Sequence, residues 1–546
     1  MARGEPAKDK RCRRGAAARP SWPVHVPAAA IRHRRAAVRR AAGPATATAD
    51  AESAPMRTFP LLAALLAATL PAPPLQAAES RPGLTPCRLQ GVEHEALCGS
   101  VRRPLDPAAP QGTTIDVHFA VLPALARNRK PDPVFFFAGG PGQSAIEIAG
   151  SVARTLGRLS NRRDIVLIDQ RGTGRSAPLV CDEADPTQPL ADAVDPARML
   201  ARLTACRTRL QQLPHGDLRH YTTAVAMQDV DAVRRQLGAA RVNLVGGSYG
   251  TRAALELLRQ FPQAVRRVVL DGVAPPDMAL PAAFAVDADA ALERLVKVCQ
   301  ADDDCRARYP DFAARIERLL TRADAGFEIT VPHPLSGGAQ VLRVDRRLLG
   351  SLLRVPLYVP SLAAVLPFAL AEAGGGDFAA LVALSTAVGT RMTENFAVGM
   401  HFAVICAEDL PRVTAARRAE AAATRFGTHL VDLYAGACPA VATRPVPDAF
   451  YDIGRVDVPV LLLSGGLDPA TPPRHGATVA QRMGRARHVV APNLGHGITG
   501  QSCAPRLVTR FIRDGDFGDL DFACLEQLPP ARFFAPIESD AARGAR

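Results

Sequence analysis

An α/β fold with a mostly parallel sheet is predicted by three observations. Short apolar runs end in glycine, helical sequence lies between them, and one long helical stretch interrupts the alternation before the last two runs. The chain has 546 residues, 48% of them hydrophobic, which is ample for a large core. Residues 114–121 alternate and read as a strand. Val134-Phe135-Phe136-Phe137 is continuously apolar, as a strand buried on both faces should be, and closes at Gly139-Gly140-Pro141-Gly142. Residues 164–169 form a second buried strand, and helical sequence follows over 197–212 and 224–237. The next run, 242–245, ends in Gly246-Gly247-Ser248-Tyr249-Gly250, and good helix formers follow from Arg252 to Leu258. Residues 266–272, 458–466 and 487–490 complete the strands; Pro459 stands at a strand start, where one is tolerated.

Between 276 and 446 the pattern is mainly helical, over 285–298, 312–323, 362–373 and 412–425. Pro367 is placed to kink or split the third of these. This predicts a helical cap domain, 276–446, inserted between the core segments 79–275 and 447–546, and its size suits a domain.

Residues 1–55 hold twelve Lys or Arg against four Asp or Glu, show no apolar periodicity, and read as a disordered basic leader. After Met56 and Arg57, residues 61–70 contain only Leu, Ala and Thr, then Pro71-Ala72-Pro73-Pro74 and the small pair Ala77-Ala78. That is the pattern of a secretory signal peptide over 56–78, with Met56 the expected start. Its apolar core is too short to span a bilayer, so no stable membrane insertion is expected. Residues 1–57 hold nine of the thirteen excess positive charges. The folded part has no basic face interleaved with aromatics, which argues against nucleic-acid binding.

Leaving out Cys12, ten cysteines remain. They fall into near-neighbour pairs: Cys87–Cys98, Cys181–Cys206, Cys299–Cys305, Cys406–Cys438 and Cys503–Cys524. Sequence does not fix the connectivity. Oxidised pairs suit a periplasmic or secreted protein. None has the Cys-x-x-Cys spacing of a zinc or redox motif, and no metal is expected.

Strand, Gly-x-Ser-x-Gly, helix is the context of a nucleophile elbow. A serine so placed needs a base, and the base an acid to hold its tautomer. Asp468 follows the strand ending at Gly465-Gly466, and His496 follows the last strand within Gly495-His496-Gly497. Ser, Asp, His is the chain order of the α/β-hydrolase fold. Ser248, Asp468 and His496 are therefore the predicted triad, with the backbone N–H groups of Tyr249 and Gly140 the predicted oxyanion hole. No cofactor is required. Gly172-Thr173-Gly174-Arg175-Ser176-Ala177 matches a loose dinucleotide fingerprint, but Pro178 stands where its helix should propagate; it is read as a structural turn.

At these residues the chain resembles the α/β-hydrolase serine aminopeptidases, the prolyl and tripeptidyl aminopeptidase group. Besides the motifs above, the resemblance rests on Asp169-Gln170-Arg171-Gly172, Tyr221-Thr222-Thr223, Pro469-Ala470-Thr471-Pro472 and Cys503 soon after the histidine. It covers about 85–530 and implies release of residues or short peptides from free N-termini. One departure is Ala138, where prolyl aminopeptidases usually have His; it puts single-proline release in doubt and leaves the tripeptidyl type or another amide substrate. An aminopeptidase needs a carboxylate facing the nucleophile to bind the substrate amine. Glu408 or Asp409 is the expected anchor, with Glu394 a second candidate. The rival readings are a secreted esterase or lipase with the same triad, distinguished by an apolar cap pocket, and a non-catalytic binding protein on a hydrolase scaffold.

Overall fold

The computed structural model describes residues 83–181, 185–393, 396–441 and 443–536, with backbone alone over 389–393 and at 440. The predicted leader and signal peptide lie outside them, as does Glu394.

Apolar runs and their glycine stops become one nine-stranded sheet. In chain order its strands are β1 (Thr85–Cys87), β2 (Ala96–Pro104), β3 (Thr114–Leu122), β4 (Val134–Phe137), β5 (Ile165–Ile168), β6 (Val242–Gly247) and β7 (Val265–Asp271). A two-stranded hairpin, β8 (Phe327–Pro332) and β9 (Ala339–Val344), stands apart. The large sheet is then completed by β10 (Val460–Gly465) and β11 (Ala486–Ala491), in the order β1-β2-β3-β5-β4-β6-β7-β10-β11. The pairings from β1 to β5 are antiparallel and those from β5 to β11 parallel.

Successive residues of the parallel strands point to opposite faces. Phe135, Ile168, Leu244, Leu270 and Leu462 enter one core cluster; Val134, Leu167, Val245, Val269 and Leu463 enter another. On the first face pack helices α1 (Thr223–Gln236) and α2 (Tyr249–Gln260). The helices Ala149–Leu156 and Ala504–Asp514 cover the second. Both faces are thus buried, which is why the sequence showed unbroken apolar runs.

The stretch between β7 and β10 has its own core cluster. Its elements used below are α3 (Leu280–Ala301), α4 (Arg346–Arg354), α5 (Val398–Val404) and α6 (His429–Val441). Pro367 does split the expected helix, into Pro360–Ala363 and Leu366–Gly374, and sits in the first turn of the second, where its missing N–H costs nothing. The hairpin was not expected: each of its strands buries only two apolar side chains, Ile329 with Val331 and Leu342 with Val344. This stretch is tied to the helix after β10 through Asp287 of α3, which accepts from Arg474 Nε at 2.6 Å and pairs with His475 Nε2 at 2.8 Å.

All five near-neighbour cysteine pairs are disulfides. Among the described residues no helix is long and apolar enough to cross a membrane.

Candidate active site

The strand β6 turns into α2 within three residues, so the chain must fold sharply at Ser248. Its backbone has φ 55° and ψ −126°, a conformation a non-glycine residue holds only when its surroundings impose it. The surroundings are tight. A Cβ on Gly250 would lie 2.2 Å from the carbonyl oxygen of Phe137, so only glycine lets the elbow close on β4. The Ser248 amide donates to the Asp271 carbonyl at 2.8 Å, and its own carbonyl accepts from Thr251 Oγ1 at 2.6 Å.

Asp468 and His496 meet at the same end of the sheet. His496 Nδ1 is 2.9 Å from Asp468 Oδ2, and Thr471 Oγ1 donates to that same oxygen at 2.8 Å. The backbone amides of Ala470 and Thr471 donate to Asp468 Oδ1 at 2.8 and 2.9 Å. Burial works against a charged Asp468, but His496 and these donors outweigh it and hold the carboxyl below its ordinary value. Burial likewise opposes the imidazolium, yet the Asp468 carboxylate, with Asp271 beyond, raises His496 above its ordinary value of 6.5. With Nδ1 facing the carboxylate, Nε2 is the nitrogen left for a serine proton. The His496 ring meets the Tyr358 ring at 74°, centroid to centroid 5.3 Å.

Asp271, which the sequence offered only as the end of a strand, organises both halves. Its carbonyl holds the Ser248 amide, and its carboxylate accepts the amides of Ile498 and Thr499 at 2.9 and 2.7 Å, fixing the loop behind His496. The next residue, Gly272, faces the ring: a Cβ there would lie 3.3 Å from His496 Cε1.

Tyr249 is the first residue of α2, so its N–H belongs to the helix end that has no partner within the helix. The loop 139–143 lies beside the elbow; a Cβ on Gly139 would be 3.3 Å from Ser248 Cβ. Gly140 has φ 110°. Residues from the stretch between β7 and β10 brace this loop. Phe396 bridges to Gln143, Ala397 N–H donates to the Gly142 carbonyl at 3.0 Å, and His401 Nδ1 is 3.0 Å from the Pro141 carbonyl. A carbonyl can only accept, so His401 carries its proton on Nδ1, and Nε2 accepts from the Tyr434 hydroxyl at 2.6 Å. Burial lowers His401 to about 4, which keeps it neutral in this role. No sequence motif marks His401, Phe396 or Tyr434.

Asp169 holds the loop from its other side. Its carboxylate accepts from Ser144 Oγ at 2.6 Å and from the amides of Ile146 and Arg175 at 3.2 and 3.1 Å. The glycine-rich stretch after it is a closed turn, with Gly172 N–H donating to the Ser176 carbonyl at 2.7 Å, as a structural turn requires.

The structure places Glu408 and Asp409, the expected amine anchors, away from solvent. Both are fully buried in a π-helical turn, Ile405–Asp409, beneath the elbow helix. Arg252 of α2 grips Asp409 with two hydrogen bonds of 2.8 Å each and reaches Glu408 at 3.4 Å. Glu408 also accepts from the Thr223 amide and hydroxyl at 2.6 and 2.9 Å, and Asp409 from the Leu280 amide at 3.0 Å. A substrate amine needs an accessible carboxylate, and these two are spent on the protein itself.

Among the described residues no group of three or more His, Cys, Asp or Glu side chains is arranged to hold a metal ion.

Two family models match the chain, one described as alpha/beta hydrolase fold over residues 132–303 and one as TAP-like protein over 422–524. The serine protease Hip1 of Mycobacterium tuberculosis is 26% identical over 476 residues, covering 79% of this chain and 88% of that protein. A tripeptidyl aminopeptidase of Streptomyces lividans is 33% identical over 196 residues, covering 33% of this chain and 35% of that protein. A proline iminopeptidase of Neisseria meningitidis is 29% identical over 142 residues, covering 26% and 32%.

Proposed function

We propose, on the premise that this chain is a serine hydrolase of the α/β-hydrolase fold with a TAP-like C-terminal part, that it is an exported aminopeptidase releasing residues or short peptides from free N-termini. Ser248 is the nucleophile, His496 the base and Asp468 the acid that orients it. The observation that carries this reading is the 2.9 Å contact between His496 and Asp468 at the sheet end that also holds the strained Ser248. His496 Nε2 takes the serine proton, and the alkoxide attacks the substrate carbonyl. The amides of Tyr249 and Gly140 receive the oxyanion, and water then resolves the acyl-enzyme through the same histidine. Support for a peptide substrate comes from the names of the relatives. Five disulfides support export to an oxidising compartment.

The assay compares one peptidyl amide with a free and an acetylated N-terminus, alongside short-chain esters. The free amine is expected to react faster; equal rates would remove the aminopeptidase reading and leave the hydrolase. The burial of Glu408 and Asp409 favours a second reading, an esterase with the same triad, which the ester arm measures.

The elevated His496 sets a pH dependence. Only the neutral ring can accept the serine proton, so kcat/KM should fall on the acid side with a midpoint above 6.5. Asp468→Asn removes the interactions that raise it. The midpoint should move down, and kcat should fall by about 10⁴ through the wrong tautomer. An unmoved acid limb in the variant would separate His496 from that titration.

A further inference from the structure

Arg354, in the last turn of α4, is a half-buried cation with little to do in the fold. Its guanidinium has five donors. One reaches the Tyr358 hydroxyl at 3.3 Å. Its carbon stands 5.5 Å from the Phe284 ring and 5.8 Å from the Tyr358 ring. Among the described residues no carboxylate comes within ion-pair distance of it. Contrast Arg252, Arg171 and Arg163, each buried and each paired with Asp or Glu. A partly desolvated guanidinium without a counter-ion is costly unless something else pairs with it.

Its place suggests what that is. Tyr358 lies between Arg354 and His496: its ring meets the His496 ring at 5.3 Å, and its carbonyl accepts the His496 amide at 3.2 Å. The guanidinium and the His496 ring thus contact the same tyrosine ring, which places Arg354 one side chain away from the histidine.

We propose that Arg354 is a specificity-determining residue that binds a carboxylate of the substrate. The planar fork of arginine matches a carboxylate in bidentate fashion, and the Phe284 and Tyr358 rings flank it at cation–π distance. The carboxylate is either an acidic side chain near the scissile bond or the C-terminal group of a short peptide. This rests on Ser248 and His496 being the reacting groups, not on the aminopeptidase step.

The test measures kcat/KM for a neutral peptidyl amide, the same amide carrying one Asp or Glu, and a short peptide as free acid and as C-terminal amide. Arg354→Gln, Arg354→Lys and Arg354→Glu are compared with the parent. In the parent the carboxylate-bearing member of at least one pair is preferred. In Arg354→Gln the anionic-to-neutral ratio falls about 10- to 100-fold, the worth of hydrogen bonds to a charged group, chiefly through KM. Arg354→Lys restores part of it, and Arg354→Glu turns the preference toward a lysyl substrate. The pair that responds identifies the source of the carboxylate. A ratio of one in the parent, or a ratio unchanged while all substrates fall together, overturns the proposal. Loss of turnover on every substrate in Ser248→Ala but not in these variants keeps the hydrolase reading separate. Equal rates on acetylated peptides would remove only the aminopeptidase step.

Discussion

Ser248→Ala is expected to abolish turnover of every substrate, by about 10⁶ in kcat, the loss typical when a triad nucleophile is removed. The fold should survive. Alanine holds φ 55° no better and no worse than serine, and both backbone hydrogen bonds of the residue remain. A second substitution separates strain from chemistry. Ser248→Gly is equally inactive, but glycine adopts a positive φ freely, so the strain is relieved. That variant should be more stable than the parent by about 1 kcal/mol, read as a higher unfolding midpoint. An inactive, more stable protein is the signature of a strained functional residue. If Ser248→Gly loses stability instead, the elbow is not strained. If Ser248→Ala keeps measurable turnover, the nucleophile lies elsewhere.

Arg252→Met should destabilise the protein by about 3–5 kcal/mol, because it leaves two buried carboxylates facing each other without their cation. One guanidinium serves both, and it favours Asp409, at 2.8 Å twice, over Glu408 at 3.4 Å. Burial then pushes the Glu408 carboxyl up to about 7, with Arg252 and the Thr223 donors opposing the rise. A carboxyl raised in the folded state binds its proton more tightly there than in the unfolded chain. Its contribution to stability is therefore complete below the ordinary 4.5 and is lost as pH rises through about 7. Denaturant titrations at pH 5 and pH 8 should show the parent weaker at pH 8, and Glu408→Gln should shrink that difference. A parent equally stable at both, or Arg252→Met within 1 kcal/mol of it, would show that the cluster does not act as a unit.

These two sites differ in how far the sequence foretold them. Ser248, Asp468 and His496 each follow a buried strand directly, so local pattern and chain order were enough to propose them together, and the structure brings His496 within 2.9 Å of Asp468. The five disulfides also join near neighbours. Arg252 reads as an ordinary helix residue; its partner Asp409 comes 157 residues later, a distance no periodicity spans. The same gap hid the setting of Glu408 and Asp409: their acidity was visible in the sequence, but their burial against α2 was not. Asp271 looked like a strand end because its role lies in what its carboxylate does for residues 498 and 499. His401 and Arg354 sit in helices, Val398–Val404 and Arg346–Arg354, outside the four helical spans the pattern marked, and nothing in the sequence showed which side chain would meet the 139–143 loop or the histidine. The β8–β9 hairpin was missed for a simpler reason, two buried side chains per strand being too weak a signal.

The most direct test of the account is covalent capture. The protein is treated with a fluorophosphonate, which phosphonylates an activated serine, and the modified peptide is identified by mass spectrometry. The account predicts one label per chain, on Ser248, formed quickly in the parent, slowed by at least a hundredfold in His496→Ala, and absent from Ser248→Ala. A label on another serine, or labelling of Ser248 at the same rate without His496, would contradict it.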